Sequence, residues 1–435
     1  MTLPGRWPDP AALRAALQAG DVPPEDGVLL CAADAALTLR APRLAGRKIG
    51  VAVSGGSDSM ATLWLLAQLH GVEAVTVDHG LRAEAAAEAA FVADFCASKG
   101  IPHTVLTWQG RAAEGNLMDA ARRARLRLIG GWARARGLGA VALGHTSDDQ
   151  AETFLMRLSR EAGLEGLAGM REAFEAEGLL WLRPFLLQSR AELRGYLRRH
   201  GIGWIEDPSN QNTRFDRVKA RKALQALAPL GISASKLNAV VGHLAMAEQA
   251  VGLSLQRLAE AHVREEAGDV VIDARGFRNA FDPETGRRLI NAALIWVSGA
   301  DYAPRAAKVI DLLMTWRTRR DRTLHGCRII VDDDTIRITR EAKAVADLRM
   351  PLGQIWDRWH LSGPADAGLV VGALGAGGLR QVPGWRAACV PRATLLASPA
   401  IWHGETLIAA PLAGLSNGYS ARIVRGSFAN ALIRR

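Results

Sequence analysis

Cysteine is scarce in this chain, and the few cysteines lie far apart. The 435 residues include four of them, Cys31, Cys96, Cys327 and Cys389, and none belongs to a Cys-x-x-Cys pair. Zinc ribbons, iron–sulfur clusters and small disulfide-stabilised folds need cysteines at close and regular spacing. The spacing argues against all three classes, and we expect four buried free thiols.

Long apolar segments are missing as well. No apolar run reaches the roughly 18 residues that a membrane-spanning helix needs, and residues 1–8 contain no apolar core of a secretory signal. Apolar residues make up 49% and charged residues 23% of the chain, as in ordinary globular proteins. We therefore expect a cytoplasmic protein without a membrane partner.

A loop rich in glycine and serine follows the first strongly apolar run. It has neither the lysine of the Walker A motif nor the glycine spacing of dinucleotide-binding folds. Its glycines allow a sharp turn, and its hydroxyls and the first N–H groups of the next helix can bind anionic oxygens. We predict a phosphate site suited to pyrophosphate release and AMP transfer, with a plain turn and helix cap as the alternative. The loop consists of Ser54, Gly55, Gly56, Ser57, Asp58 and Ser59.

Apolar runs and helical patterns alternate through the first half of the chain. This alternation predicts an α/β fold with a doubly wound parallel sheet. Ligands of such sheets bind at the carboxyl ends of the strands, and polar clusters follow three of the expected strands. We expect strands at 49–53, 72–77, 103–108 and 140–144, and helices from Met60, at 84–98, at 116–136 and from about Asp148.

Two polar groups near the expected sheet edge are candidate nucleotide contacts. Asp78, His79 and Arg82 follow the second strand, and Asn116 and Arg122 lie on the helix after the third strand. From the residues alone, the first group is also compatible with a strand end that carries a surface salt bridge. The second is also compatible with a solvated helix face, so both alternatives stay open.

A third polar cluster begins after the fourth strand with His145. Asp148 lies where a carboxylate would cap the following helix. Asp149 and Glu152, three positions apart, can share one helix face and could hold Mg²⁺ or an ammonium group. This pair is the strongest candidate site outside the glycine- and serine-rich loop.

Together these motifs resemble those of the N-type ATP pyrophosphatases, and most closely the tRNA(Ile)-lysidine synthase family. The matching elements are Ser-Gly-Gly-x-Asp-Ser at 54–59, Val-Asp-His-Gly-Leu-Arg at 77–82 and His-x-x-Asp-Asp-Gln-x-Glu-Thr at 145–153. Glycines and leucines at 163–170 continue the third match. The resemblance covers the whole α/β region and becomes weaker toward the C-terminus.

The resemblance implies a ligase that uses ATP and Mg²⁺. Such enzymes join free L-lysine to C2 of the wobble cytidine in tRNA(Ile) with a CAU anticodon, through an adenylated cytidine, and release pyrophosphate and AMP. The product reads AUA instead of AUG, and the tRNA becomes an isoleucine rather than a methionine tRNA. The implied catalytic residues are Asp58, which also lies beside the metal, His145, Asp149 and Glu152. The implied nucleotide contacts are residues 54–59, Asp78, His79, Arg82, Asn116 and Arg122, and the implied lysine or tRNA contacts are Asp149, Glu152, Arg157, Arg217 and Arg221.

Basic residues are in excess after the α/β region. The net charge is +10 and the pI is near 10, which favours a polyanionic partner such as RNA, although an arginine-rich genome would produce the same bias. Arg217 and Arg221 match a family element, but Val218 stands where that element usually has asparagine. Residues 317–322 form a further basic cluster, which is equally compatible with a solvated linker.

The length predicts about three domains. We expect an N-terminal extension at 1–46, an ATP-binding domain at 47–211, a helical basic domain at 212–322 and a small β-rich domain at 323–435. Alternation around residues 332–334 predicts a β-hairpin. A homodimer is left open.

Two other functions remain as alternatives. One is another adenylating enzyme, either a tRNA thiolase or an amidotransferase similar to GMP or NAD synthetase. The other is a non-catalytic RNA-binding protein.

Overall fold

The computed structural model divides the chain into two compact units, Met1–Glu248 and Gln249–Arg435. The four predicted domain boundaries remain predictions. The structure describes residues 10–44, 46–78, 80, 85–108, 117–206, 216–300, 303–315, 321–364, 366 and 368–433.

The first unit is built on a mostly parallel sheet with the strand order β3-β2-β1-β4-β6-β5. Its first four strands pair in parallel, and only β5 runs antiparallel, beside β6. This order confirms the predicted α/β fold with a doubly wound sheet. The strands are β1 (Ile49–Ala52), β2 (Val72–Asp78), β3 (His103–Thr107), β4 (Ala140–Leu143), β5 (Ala173–Ala176) and β6 (Leu179–Leu182).

Helices cover both faces of this sheet. Strand β1 is buried throughout: Ile49 and Val51 face one hydrophobic core, and Ala52 faces the other. This is the alternation that a central parallel strand requires when both faces are covered. The helices are α1 (Pro10–Ala19), α2 (Pro24–Thr38), α3 (Ser57–Leu69), α4 (Ala85–Lys99), α5 (Leu117–Ala135), α6 (Ser147–Leu158), α7 (Leu164–Leu167), α8 (Arg190–Arg199), α9 (Asp216–Leu227) and α10 (Ala234–His262), whose second half belongs to the other unit.

The N-terminal helices are part of the first core. Leu13 of α1 and Leu29 of α2 are buried with Trp64 of α3. The buried carboxylate of Asp26 accepts hydrogen bonds from Arg199 and from His200 Nε2, the latter at 2.9 Å. The extension therefore packs against α3 and is tied to the end of α8.

The described residues of the second unit form three small sheets. Their strand orders are β7-β8-β11-β10-β9, β12-β15-β16-β17 and β13-β14-β18. The strands are β7 (Val263–Glu266), β8 (Asp269–Asp273), β9 (Arg322–Leu324), β10 (Cys327–Val331), β11 (Thr335–Arg340), β12 (Arg349–Pro351), β13 (Ile355–Trp356), β14 (Trp359–Ser362), β15 (Val370–Ala373), β16 (Pro399–His403), β17 (Thr406–Ala409) and β18 (Ser420–Ile423). The helices after α10 are α11 (Ala274–Ala280), α12 (Pro283–Ser298), α13 (Ala306–Thr315), α14 (Ala342–Val345), α15 (Gly375–Arg380), α16 (Arg392–Leu396) and α17 (Phe428–Ile433).

Most predicted elements are confirmed, including the hairpin of β10 and β11. Three expectations were wrong. The region 212–322, expected to be helical, is not purely helical, because β7 and β8 form a hairpin there. Helix α3 begins at Ser57 rather than Met60, so the end of the predicted loop is its first turn. Cys31 and Cys389 are exposed, whereas Cys96 and Cys327 are buried. Among the described residues, no helix combines the length and the apolar character needed to cross a membrane.

Candidate active site

The glycine- and serine-rich loop connects β1 to α3 by a sharp backbone turn. Gly55 has a φ of 85°, a backbone conformation that residues with a side chain rarely adopt. A Cβ at this position would lie 2.9 Å from Ile205 Cδ1. Gly55 O also accepts a hydrogen bond of 2.9 Å from Ile205 N. The first N–H groups of α3 have no acceptor within the helix, so the loop ends at a set of donors suited to an anion.

The loop hydroxyls hold its shape. Ser59 Oγ accepts from Ser54 N at 3.1 Å and donates to Gly56 O at 2.9 Å. Ser57 Oγ donates to Asp58 Oδ1 at 3.0 Å. The serines thus fix the backbone turn and orient the single carboxylate of the loop.

The end of β4 lies directly against the start of α3. A Cβ on Gly144 would lie 2.9 Å from each of three backbone atoms, Asp58 O, Ser59 N and Ser59 Cα. Backbone cannot yield in the way that a flexible side chain can. Glycine at 144 therefore lets the His145 segment approach the loop.

Three carboxylates surround the guanidinium of Arg190, the first residue of α8. Asp58 Oδ2 accepts from Arg190 Nε at 2.8 Å. Asp149 Oδ1 and Glu152 Oε1 lie 3.5 and 3.7 Å from its terminal nitrogens. The loop and the acidic helix α6 therefore meet in one site, as the strand-end argument predicted.

Asp149 has a structural as well as an electrostatic role. Its Oδ2 accepts from Thr146 N at 2.9 Å and from Thr146 Oγ1 at 3.0 Å, at the start of α6. Burial opposes its ionisation, but Arg217 and Arg190 outweigh burial and hold the pKa of the carboxyl below its ordinary value. The expectation that Asp148 caps α6 was wrong: Asp148 Oδ2 instead accepts from Arg190 N at 2.7 Å, because it faces α8.

Glu152 is the most deeply buried acid of the site, with 1% of its surface exposed. Its Oε1 accepts from Arg221 Nε at 2.5 Å. Its Oε2 is buried and has no hydrogen-bond partner among the described residues. A buried carboxylate oxygen without a donor is costly, and a cationic ligand would satisfy it.

His145 is a neutral imidazole. Its Nδ1 accepts from Arg183 Nε at 3.2 Å. Burial, followed by the positive charge of Arg183, lowers its pKa from 6.5 to about 3. Such a group can donate or accept hydrogen bonds at neutral pH but is a weak base.

Several arginines lie close enough to His145 to act on its charge: Arg183, Arg217 and Arg125 all lower its pKa. Burial lowers the pKa of Arg125, with smaller contributions from Arg122 and Arg217. Burial, then Arg122 and Arg157, lower the pKa of Arg183 to about 10. These side chains repel one another, and an anion placed between them would relieve that repulsion. Arg157 also donates hydrogen bonds to Gly166 O at 2.7 Å and to Gly169 O at 3.1 Å.

Most predicted site residues lie within this one region. The loop, Asp149, Glu152, Arg217 and Arg221 are connected by the contacts above, and Asp78 ends β2, where its Oδ1 accepts from Gly80 N at 2.8 Å. His79, Arg82 and Asn116 lie outside the described residues. The individual roles of these residues stay predictions.

Sequence reasoning missed three arginines, Arg190, Arg183 and Arg194. Arg194 Nε donates to Ser57 Oγ at 3.1 Å, one turn beyond Arg190 on α8. The only local signal is the Ser189–Glu192 capping box that starts this helix. It predicts where α8 begins but not which acids its arginines meet.

Comparison with known proteins assigns the chain to a family. Residues 33–227 match the family model described as PP-loop domain. A tRNA(Ile)-lysidine synthase of Ruegeria pomeroyi is 47% identical over 87% of this chain and 92% of its own length. One from Mesorhizobium japonicum is 34% identical over 80% of this chain and 81% of its own length.

The chain belongs to the tRNA(Ile)-lysidine synthase family. Membership confirms the resemblance inferred from the three motifs, and the PP-loop match spans β1 to α9, the elements that build the site.

Proposed function

We propose that this protein is an ATP-dependent ligase that joins lysine to C2 of the wobble cytidine in a CAU-anticodon tRNA(Ile). Besides family membership, one observation carries the proposal: the phosphate-type loop and the buried Glu152 meet in one site. Glu152 Oε2 has no partner among the described residues. An adenylating loop and a carboxylate that needs a cation are the two requirements of this reaction.

In the first step, the cytidine 2-oxygen attacks the α-phosphate of ATP and pyrophosphate leaves. The loop N–H groups and hydroxyls would hold the leaving phosphates. Among the described residues, no group of three or more His, Cys, Asp or Glu side chains could hold a metal ion by itself. Mg²⁺ in nucleotide sites needs only one or two carboxylates besides phosphate oxygens, so Asp58 fits, and the bound ion would neutralise phosphate charge.

In the second step, the ε-nitrogen of lysine forms a bond to C2 and the C2–O bond to AMP breaks. Asp149 and Glu152 would hold the ε-amino group beside the adenylate. The amine must lose a proton to attack, and His145, whose pKa is near 3, is a weak proton acceptor at neutral pH. We therefore assign His145 to hydrogen bonding rather than to proton removal.

Arginines on α5, α6 and α9 would hold the anionic backbone around the target base. Arg122, Arg157 and Arg217 lie on these three helices. The wobble base must leave its stack to reach the loop, and phosphate contacts can compensate for that cost. The proposal includes free L-lysine as the substrate and a cytoplasmic location, and it leaves a homodimer open.

A sulfur-transfer reaction is disfavoured by the cysteines. Cys96 is buried in α4, and burial raises the pKa of its thiol to about 11. Thiolate is the nucleophilic form, so this residue would be inert at neutral pH. An amine acceptor fits the site better than a thiolase or a non-catalytic RNA-binding role.

Glu152→Gln tests the proposed lysine site. We expect at least about a hundredfold loss of lysine transfer, because a neutral amide cannot balance the ammonium group and the nearby arginines. The matched control is Glu175→Gln at the exposed position of β5, which should transfer lysine at the wild-type rate. Equal activity of both variants, measured with labelled lysine and tRNA, would show that Glu152 does not bind substrate.

A further inference from the structure

Arg190 already occupies the position where a substrate cation would be expected. Its guanidinium lies 2.8 Å from Asp58 Oδ2, 3.5 Å from Asp149 Oδ1 and 3.7 Å from Glu152 Oε1. It forms ion pairs with all three acids. In this state the guanidinium lies among the loop carboxylate and the two α6 carboxylates, and Arg217 and Arg221 also pair with Asp149 and Glu152.

These contacts are electrostatically strong. Burial alone would lower the pKa of Arg190, but Asp58 and then Asp149 raise it above its ordinary value. The side chain is 21% exposed, so solvent screens the contacts only in part. A second cation cannot use the same oxygens without repulsion from the guanidinium.

A lysine ammonium group at Asp149 and Glu152 would therefore compete with Arg190. Glu152 Oε1 is also bonded to Arg221, which leaves the unpartnered Oε2 as the remaining acceptor. The guanidinium can leave the three carboxylates only if another anion binds it.

ATP would supply that anion. Arg190 contacts Asp58, and Arg194, one turn further along α8, contacts Ser57. Both contacts lie on the first turn of α3, where the triphosphate is expected. A short movement of the guanidinium from carboxylate to phosphate would free Asp149 and Glu152.

We propose that Arg190 occupies the lysine ammonium position in the ligand-free protein and transfers to the triphosphate when ATP binds, so that ATP binding opens the lysine site. This inference rests on the proposed function. It makes Arg190 a positioning residue that orders the two substrates.

The side chain can be tested without disturbing its helix. The start of α8 is held by the backbone bond from Arg190 N to Asp148 Oδ2 and by the Ser189–Glu192 capping box. Neither contact uses the guanidinium. Arg190→Gln should therefore remove the proposed competition and leave α8 in place.

Calorimetric titration of lysine into the free protein, with and without α,β-methylene-ATP, tests the proposal. The analogue blocks the bond that the reaction breaks. Wild-type protein should bind lysine at least about fivefold more tightly with the analogue, a coupling of ordinary size. Arg190→Gln should bind lysine more tightly than wild type without it and change less than about twofold when it is added.

Arg198→Gln is the matched control on the same helix, because Arg198 lies over the ring of Trp204, 5.7 Å from its centroid. It should behave like wild type. Weaker lysine binding by Arg190→Gln, an undiminished response to the analogue, or no lysine binding by either protein would overturn the proposal. Transfer of labelled lysine to tRNA by the wild-type protein is scored separately, so the inference can fail while the proposed function stands.

Discussion

At the scale of single residues, His145 and Asp149 show how one pocket acts on two ionisable groups. Burial and Arg183 keep His145 neutral, whereas Arg217 and Arg190 keep Asp149 ionised in spite of burial. Guanidinium groups contribute to both effects, although burial is the larger cause for His145. The charges of the site therefore favour an anion near His145 and a cation at the carboxylates.

The pKa of His145 predicts a pH dependence of stability. Unfolded His145 takes up a proton below about its ordinary value of 6.5, whereas the folded group does so only near 3. The unfolded state binds more protons between these values, so stability falls as the pH falls through 6.5. Wild-type protein should lose up to about 2 kcal/mol more unfolding free energy than His145→Gln between pH 8 and pH 5.

Urea unfolding of both proteins across this range measures the difference. Other buried histidines are common to both and cancel. The titration of Asp149 does not affect this comparison. Its pKa in the folded protein lies below 3.8, so its stabilising effect is lost only at pH values below the measured range. Parallel stability curves for the two proteins would mean that His145 titrates normally in the folded state.

Sequence motifs identified the acids of the site but not Arg190, the cation that contacts all three of them. Asp149 and Glu152 stand in one short motif, and their helical spacing places them together. Arg190 reaches Asp58 across 132 positions of the chain. No local pattern encodes such a pair, because it depends on the packing of α8 against α3.

At the scale of elements, the loop depends on the close approach of β4 and α3. Gly144→Ala would place a Cβ 2.9 Å from the backbone of Asp58 and Ser59. We expect a loss of about 1–3 kcal/mol of stability and weaker ATP binding, since the first turn of α3 must shift. Thermal unfolding and nucleotide titration measure the two effects.

The control for this substitution is Gly131→Ala in α5, where a Cβ would meet nothing within 4 Å. Alanine is the better helix former, so this variant should gain about 0.5–1 kcal/mol and bind ATP normally. Unchanged stability and ATP affinity in Gly144→Ala would show that the loop tolerates displacement.

The elements that sequence patterns predicted best are the buried parallel strands and the long helices. The hairpin of β7 and β8 was missed for a physical reason. Its turn places Ala267 at a φ of 50° and Gly268 at 86°, a pair for which asparagine–glycine is the usual signal. The strand before it reads Val-Arg-Glu-Glu, which shows no alternation. The turn between β5 and β6 has the same feature, because Glu177 and Gly178 both have a positive φ without the usual asparagine–glycine signal.

At the scale of the whole molecule, a net charge of +10 accompanies a site that has several arginines around His145. If these charges hold RNA phosphates, binding must release counterions. Raising monovalent salt from about 50 to 200 mM should weaken tRNA binding by more than about tenfold. Fluorescence anisotropy with labelled tRNA measures this, and a salt-independent affinity would contradict phosphate recognition.

We propose above that this chain transfers lysine to tRNA through an ATP-activated cytidine. The direct measurement is incorporation of labelled lysine into a CAU-anticodon tRNA(Ile) transcript, with AMP and pyrophosphate followed in parallel. We expect one lysine, one AMP and one pyrophosphate per modified tRNA, no label in tRNA(Met), and no transfer by Asp58→Asn. Label that never enters the tRNA, or enters equally with Asp58→Asn, would contradict it.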